Sequence, residues 1–273
     1  MKIGVIGLGK LGSVLAEVLS EYNEVVGVDL KWRYIKNIEN KRDSSILEDC
    51  EVVFNVVNTP SLPNGDFDDS ILFKSTEQAI PYLKKCKVYV VVSTVMPGTC
   101  RSLKIILPDT CKVCYNPEFI RLNSIKEDMK NPDFVLIGEE DNTSGNIVER
   151  IYRKIVYDAP TKRMSWESAE LAKIALNSYI TTKITFANVI GQMAKKIGAD
   201  AESILDAIGT DHRIGTSYFK SGGAYGGPCF PRDNIAFSNI AGDILNYAKL
   251  TDKINKIVAK EGYFSDEKRY QNV

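Results

Sequence analysis

Apolar residues follow two rhythms along this chain, and the rhythm changes near its middle. Lys2 to Ile6 is a short apolar run that reads as a strand. Val14, Leu15, Val18 and Leu19 repeat at helical spacing. Strand patterns recur at Glu24 to Val28, Glu51 to Val57, Lys87 to Val92, Cys111 to Tyr115 and Phe134 to Ile137. Helical patterns lie between several of them, at Ile71 to Leu83 and from the Thr99 region to about Leu107. Alternation of this kind predicts an α/β fold, a parallel sheet with helices on both faces. Pro160 to Ser165 reads as a connector. A long helical pattern follows from Trp166 to Lys196, then a shorter one from Ala201 to Ile208 that ends at Gly209. The pattern predicts a domain over 1–162 and an all-α domain over 163–273.

The first strand–helix junction carries Gly7-Leu8-Gly9-Lys10-Leu11-Gly12, and the second strand ends in Asp29. A strand, G-x-G-x-x-G, a helix, a strand and an acidic residue about 20 positions on make a complete dinucleotide-binding unit. The expected fold is therefore a Rossmann-type sheet. Gly7 permits the tight turn, Gly9 lets backbone approach a pyrophosphate, and Gly12 allows close helix–strand packing. The helix N-terminus offers N–H groups to the phosphates. Asp29 suits the ribose hydroxyls and would repel a 2′-phosphate, so NAD is expected. Lys31 and Arg33 leave a minority case for NADP, and solvated loop charges explain them better. Ligands of such sheets bind outside the carboxyl ends of the strands, where Thr59, Thr94 and Glu118 stand.

Composition removes several classes. The 273 residues carry no net charge, 44% hydrophobic and 26% charged residues, as in ordinary globular proteins. A balanced charge gives no general affinity for nucleic acid or membrane surfaces. No apolar run approaches the ~20 residues of a membrane span. The N-terminus turns glycine-rich too early for a secretory signal, so a cytoplasmic location is expected. One histidine leaves little room for His-based metal sites or a Ser-His-Asp triad. No metal is expected, and the chemistry falls to Cys, Lys, Asp, Glu and backbone. Of the six cysteines, Cys111 and Cys114 form a C-x-x-C inside a strand pattern, where an offset of three puts them on opposite faces.

Two candidates stand out in the second half. Lys173 and Asn177 lie four apart on one helix face, with Asn188 about three turns further along; a solvated helix face is the plain alternative. The run from Gly222 to Asp233 is rich in glycine and ends Pro228-Cys229-Phe230-Pro231-Arg232-Asp233. Pro231 suits the first turn of a new helix, which places Cys229 at its N-terminus. Asp233 then falls in the first turn.

Together these residues resemble the UDP-glucose/GDP-mannose dehydrogenase family. The matching segments are the glycine loop with Asp29, Asn58-Thr59-Pro60, Ser93-Thr94-Val95-Met96-Pro97-Gly98-Thr99, and Asn116-Pro117-Glu118-Phe119-Ile120-Arg121. They continue with Asn131-Pro132-Asp133, Ala169 to Asn177, Asp211-His212-Arg213-Ile214-Gly215 and Gly226 to Asp233. The resemblance implies oxidation of the primary alcohol of a nucleotide sugar to a carboxylate by two NAD in succession. Cys229 would form a thiohemiacetal and then a thioester. Lys173 would stabilise oxyanions, Asn177 orient the reacting oxygen, Asp233 handle a proton or water, Glu118 act as general acid/base, and Thr94 position a water. The cofactor set is Gly7, Leu8, Gly9, Lys10, Leu11, Gly12, Asp29, Thr59 and Thr94. The substrate set is Phe119, Ile120, Arg121, Lys173, Asn177, Arg213, Tyr225 and Gly226, with Arg213 reaching in from a partner subunit. The long helix at 166–196 would form the core of a homodimer. His212 reads as a loop residue.

Three departures from the family pattern carry expectations. Leu122 stands where the family has a second glutamate, so thioester hydrolysis rests on Glu118 or is slow. Only about 20 residues separate Asp29 from the strand at Glu51, where the family fits another helix and strand, so the adenine-side wall should be abbreviated. The chain stops near the end of the family's central domain, without the C-terminal domain that grips the nucleotide. Two other functions therefore stay open: a two-electron dehydrogenase of the β-hydroxyacid type, and a catalytically weak or split-enzyme subunit completed by another polypeptide.

Overall fold

A computed structural model describes residues 1–121, 123–156, 158–242 and 247–260; Leu122, the position of the family's second glutamate, lies outside them. The chain divides into two compact units, residues 1–62 with 67–173, and residues 63–66 with 174–273. Each is described by itself.

The first unit is built on one sheet. Its strands are β1 (Lys2–Ile6), β2 (Glu24–Val28), β3 (Glu39–Lys41), β4 (Val52–Asn55), β5 (Val88–Val91), β6 (Lys112–Tyr115), β7 (Val135–Glu139) and β8 (Thr161–Met164). They lie in the order β3-β2-β1-β4-β5-β6-β7-β8. Every pairing is parallel except β6 with β7, where Cys114 faces Glu139 and Tyr115 faces Gly138. Both faces of the sheet are covered, so its inner strands are apolar throughout rather than alternating. Phe54, Val90 and Cys114 point into one apolar cluster, while their neighbours Val53, Tyr89 and Val113 point into the other. The C-x-x-C is split in the expected way, with Cys111 in the second cluster and Cys114 in the first.

The helices of this unit are α1 (Lys10–Ser20), α2 (Ser70–Ala79), α3 (Thr99–Ile106), α4 (Ile125–Lys130) and α5 (Asn142–Ile155). The first turns of α6 (Trp166–Ile197) complete it. Hydropathy alone overlooks α5, although Asp141 and Ser144 cap it reciprocally and Ile147, Val148, Ile151 and Tyr152 bury one face. It also overlooks two strands. Pro160 to Ser165 is not a plain connector but contains β8, held parallel to β7. The stretch after Asp29 keeps a third strand and loses only the helix. That strand, β3, is Glu-Asn-Lys, an edge held to β2 by backbone, so no apolar pattern announces it. The loop over 29–38 replaces the helix. Asn40 pins it by accepting from Arg33 N and donating to Arg33 O at 2.7 Å.

The sequence pattern places the domain boundary at 162/163, whereas the first unit runs to Lys173. The reason is packing. Trp166 and Ala169 enter the sheet's second cluster, and Trp166 Nε1 donates to Val113 O at 3.0 Å. Glu170 is fully buried and accepts from Gly98 N and Cys100 N, which caps α3 from α6.

The second unit contains the rest of α6, then α7 (Ala201–Thr210), α8 (Phe230–Ala241) and α9 (Tyr247–Lys260). Asp200 caps α7 through Glu202 N and Ser203 N. Ala187, Leu205 and Phe219 form a small core, and the rings of Phe186 and Phe219 stack at 5.9 Å. Asn234 of α8 ties three helices together: it accepts from Ser178 and Thr181 of α6 and donates to Ala248 O and Asp252 of α9. Among the described residues no helix is long and apolar enough to cross a membrane.

Candidate active site

In the first unit the glycine loop has the geometry its pattern requires. Gly7 sits at φ +88°, in the left-handed region that favours glycine. A Cβ on Gly12 would lie 1.8 Å from Gly7 O, whereas one on Gly9 would meet nothing within 4 Å. Helix α1 begins at Gly9 with no side-chain cap and no acidic residue in its first turn. Its N–H groups and positive potential are left for an anion. Lys10 is exposed and Leu11 half-buried beside them. Asp29 is fixed at the tip of β2, accepting from Leu8 N at 2.7 Å and Lys31 N at 2.8 Å. Arg33 Nε, on an exposed side chain, approaches it at 3.9 Å. The ends of β4 and β5 are joined by Thr59 Oγ1, which donates to Thr94 O at 2.6 Å.

At the end of β6 stands Glu118. Tyr152 of α5 donates its hydroxyl to Glu118 Oε1 at 2.9 Å. Lys173 of α6 donates to the main-chain oxygen of the same residue at 2.7 Å and lies 4.6 Å above the Phe119 ring. Withdrawal from water pushes the Glu118 carboxyl above the ordinary carboxylate range, while Tyr152 and Lys173 pull it down. Lys173 is 8% exposed, so the reading of a solvated helix face fails there.

The second unit assembles a separate cluster. Asn177 Nδ2 donates to Asp233 Oδ2 at 2.7 Å, with both side chains buried. Arg232 Nε reaches the other Asp233 oxygen at 3.2 Å. Helix α8 starts at Cys229 as N-cap with Pro231 in its first turn. None of the six cysteines is in a disulfide, and Cys229 alone is exposed. Burial pushes the thiols of Cys50 and Cys114 up to about 12, which leaves them inert. Asn188 is buried and grips the glycine-rich stretch, accepting from Gly222 N at 2.9 Å and donating to Gly223 O at 2.7 Å. Gly222 itself sits at φ +121°.

Several residues expected at a substrate are placed otherwise. Tyr225 is 3% exposed, and its hydroxyl donates to Asp252. Ile120 packs on the first apolar cluster and Phe119 on the second, its ring 4.8 Å from that of Phe134. Both side chains are half-buried in these contacts. Arg121 pairs with Asp128 at 2.8 Å, and Arg213 pairs with Asp211 at 2.5 Å. Gly226 is half-buried in the loop before Cys229, and His212 is exposed. Sequence reasoning missed Tyr152 and Glu170. The helical spacing of Ile147, Val148, Ile151 and Tyr152 was the available signal for the first; nothing local marks the second.

Residues 39–156 match the profile of the UDP-glucose/GDP-mannose dehydrogenase family, NAD binding domain, and residues 167–257 that of its central domain. The chain is 31% identical to a GDP-mannose 6-dehydrogenase of Pseudomonas putida, covering 100% of this chain and 69% of that one. The chain belongs to the UDP-glucose/GDP-mannose dehydrogenase family. A second relative, the GDP-mannose 6-dehydrogenase of Pseudomonas aeruginosa, is 34% identical over 85% of this chain, which spans 62% of its length. Among solved structures, a UDP-glucose dehydrogenase from the hyperthermophilic archaeon Pyrobaculum islandicum matches with a TM-score of 0.85 and 28% identity. The match covers 94% of this chain and 68% of that one.

NAD is the cofactor of this family's N-terminal domain, and the residues present fit it. The open space at Gly9 admits a pyrophosphate against the uncapped start of α1. The Asp29 carboxylate, oriented by Leu8 N and Lys31 N, would accept from ribose hydroxyls. The two glycines predict different failures. Gly12→Ala forces Cβ against Gly7 O and should cost about 1–3 kcal/mol of stability or more, read by thermal denaturation. Gly9→Ala should melt like the parent yet bind NAD at least tenfold more weakly by calorimetry, because only the ligand meets the new methyl. An unchanged NAD affinity in Gly9→Ala would remove the phosphate role.

Proposed function

We propose that this chain carries the NAD-dependent oxidation of the primary alcohol of a nucleotide sugar to a carboxylate. The observation that supports it best is the second unit's cluster: an exposed Cys229 capping α8, and one turn later Asp233, buried against Asn177. When bound, NAD takes up one hydride from the alcohol carbon and, as a second molecule, another from the carbon once it is bonded to sulfur. The chain's residues supply the rest. Asn177 helps orient the reacting oxygen, and Asp233 accepts its proton as the alcohol becomes an aldehyde. The Cys229 thiolate, favoured at a helix N-terminus, then bonds to the aldehyde carbon. Lys173 carries the compensating charge for the oxygen that becomes anionic. After the second hydride leaves, a thioester remains. Water adds to it with Glu118 taking the proton, the C–S bond breaks, and Cys229 is restored.

A cytoplasmic homodimer belongs to the same reading. Tyr179, Phe186 and Met193 repeat every seven residues along α6 and are 62%, 47% and 56% exposed, with Ile197 at 78%. A stripe of that kind on a long helix suits a partner helix. Arg213, exposed and paired with Asp211, would then serve the neighbouring protomer.

The reading is tested by stoichiometry. UDP-glucose, UDP-N-acetylhexosamines and GDP-mannose are each offered with excess NAD, and products are weighed by mass spectrometry. The accepted sugar should yield two NADH and a carboxylate. One NADH with an aldehyde would overturn the covalent route in favour of a two-electron dehydrogenase. Binding of NAD without turnover of any sugar would make the chain a subunit that another polypeptide completes.

A further inference from the structure

Glu118 is held at two points by two different helices. Lys173 of α6 takes its main-chain oxygen, and Tyr152 of α5 takes carboxylate Oε1. Among the described residues Oε2 accepts no hydrogen bond. Tyr152 is itself 5% exposed and packed in the sheet's first apolar cluster, so its ring cannot swing away. Its hydroxyl is the polar end of an otherwise apolar side chain, and a buried tyrosine hydroxyl normally has a fixed partner. That partner here is the carboxylate the proposed hydrolysis depends on.

We propose that Tyr152 is a positioning residue for thioester hydrolysis, its hydroxyl fixing Oε1 of Glu118 so that Oε2 takes the proton from water. The inference rests on the function proposed above. In the step, one water O–H bond breaks and its proton passes to Oε2. The water oxygen forms a bond to the thioester carbon, and the C–S bond breaks with its electron pair on Cys229 Sγ. No electrons change oxidation level. Tyr152 keeps its own proton throughout. Its hydrogen bond stabilises the ionised carboxylate against the cost of partial burial, and the Lys173 ammonium adds to it; these are the polar groups facing Glu118 from the packed helices.

The sign follows. Glu118 must be ionised to accept the proton, so hydrolysis rises with pH through a value above the ordinary carboxylate range. Tyr152→Phe keeps the ring and removes the donor, so that rise moves to still higher pH. Acid release at about pH 6 should fall roughly ten- to a hundredfold, and the loss should shrink as pH increases. A Cys229-linked acyl adduct should accumulate and be visible by intact mass. The carboxyl stretch of Glu118, assigned by infrared difference against Glu118→Gln, should titrate at higher pH in Tyr152→Phe than in the parent. Superimposed pH profiles with only a lowered melting temperature would overturn the proposal and leave Tyr152 a packing residue. If the infrared titration shifts but the parent never forms the Cys229 adduct, the contact is real and the hydrolytic role is overturned with the reading it rests on.

Discussion

Cys229→Ser should lose carboxylate formation by at least a thousandfold while remaining as well folded as the parent. A serine hydroxyl is almost wholly protonated at neutral pH, whereas a cysteine thiol ionises far more readily and its thiolate is intrinsically more nucleophilic. Without the sulfur there is no thiohemiacetal for the second hydride to leave, so NADH should stop near one equivalent or fall below it. The control against misfolding is built into the geometry. Cys229 is exposed and caps α8, and serine is a preferred N-cap residue. The melting temperature should therefore stay level or rise slightly. The measurement pairs NADH yield with product mass. Retained acid formation in Cys229→Ser would remove the covalent step.

Lys173→Met should lower the rate of NADH formation about a hundred- to a thousandfold with NAD affinity unchanged. Methionine nearly preserves the volume, so the stem's packing survives while the ammonium leaves, with its donors and its place over the Phe119 ring. A fixed donor aimed at a developing oxyanion is worth about 2.7–4 kcal/mol of barrier. The same substitution strips a donor from Glu118 O, and an unsatisfied buried carbonyl costs about 1–3 kcal/mol of stability. Lysine to arginine would be no milder, since a planar guanidinium does not fit a site built for a compact ammonium. Single-turnover kinetics separate the two effects, because folding loss lowers amplitude while loss of oxyanion stabilisation lowers the rate constant. A rate within threefold of the parent would sink the assignment.

The Lys173 experiment relies on burial that no local pattern announces. Lys173 and Asn177 are polar residues at helical spacing, and spacing alone fits a solvated face. What removes them from water is distant in sequence: Glu118 and Phe119 for the lysine, Asp233 for the asparagine. Tyr225 makes the opposite point. The family resemblance implies a substrate contact there, and its hydroxyl and backbone N–H are held by Asp252 and Asn255 of α9.

The chain's own order of residues was enough for whatever depends on neighbours. Inner strands must be apolar on both faces, so β1, β2, β4, β5, β6 and β7 are written in hydropathy. The glycine loop and Asp29 are legible because each answers a local backbone demand, such as the 1.8 Å approach of a Cβ at Gly12 to Gly7 O. Cys229 at a helix start follows from Pro231 by the same logic. Folding in three dimensions decided whatever depends on remote partners. The polar edge strand β3 exists because β2 offers it backbone hydrogen bonds. The antiparallel β7 follows from pairing rather than composition. Glu170 caps a helix 70 residues away, and Tyr152 meets Glu118 across 34. Hydrophobic period and turn chemistry are properties of adjacent residues, whereas a hydrogen bond between distant side chains exists only once the chain has brought them within about 3 Å.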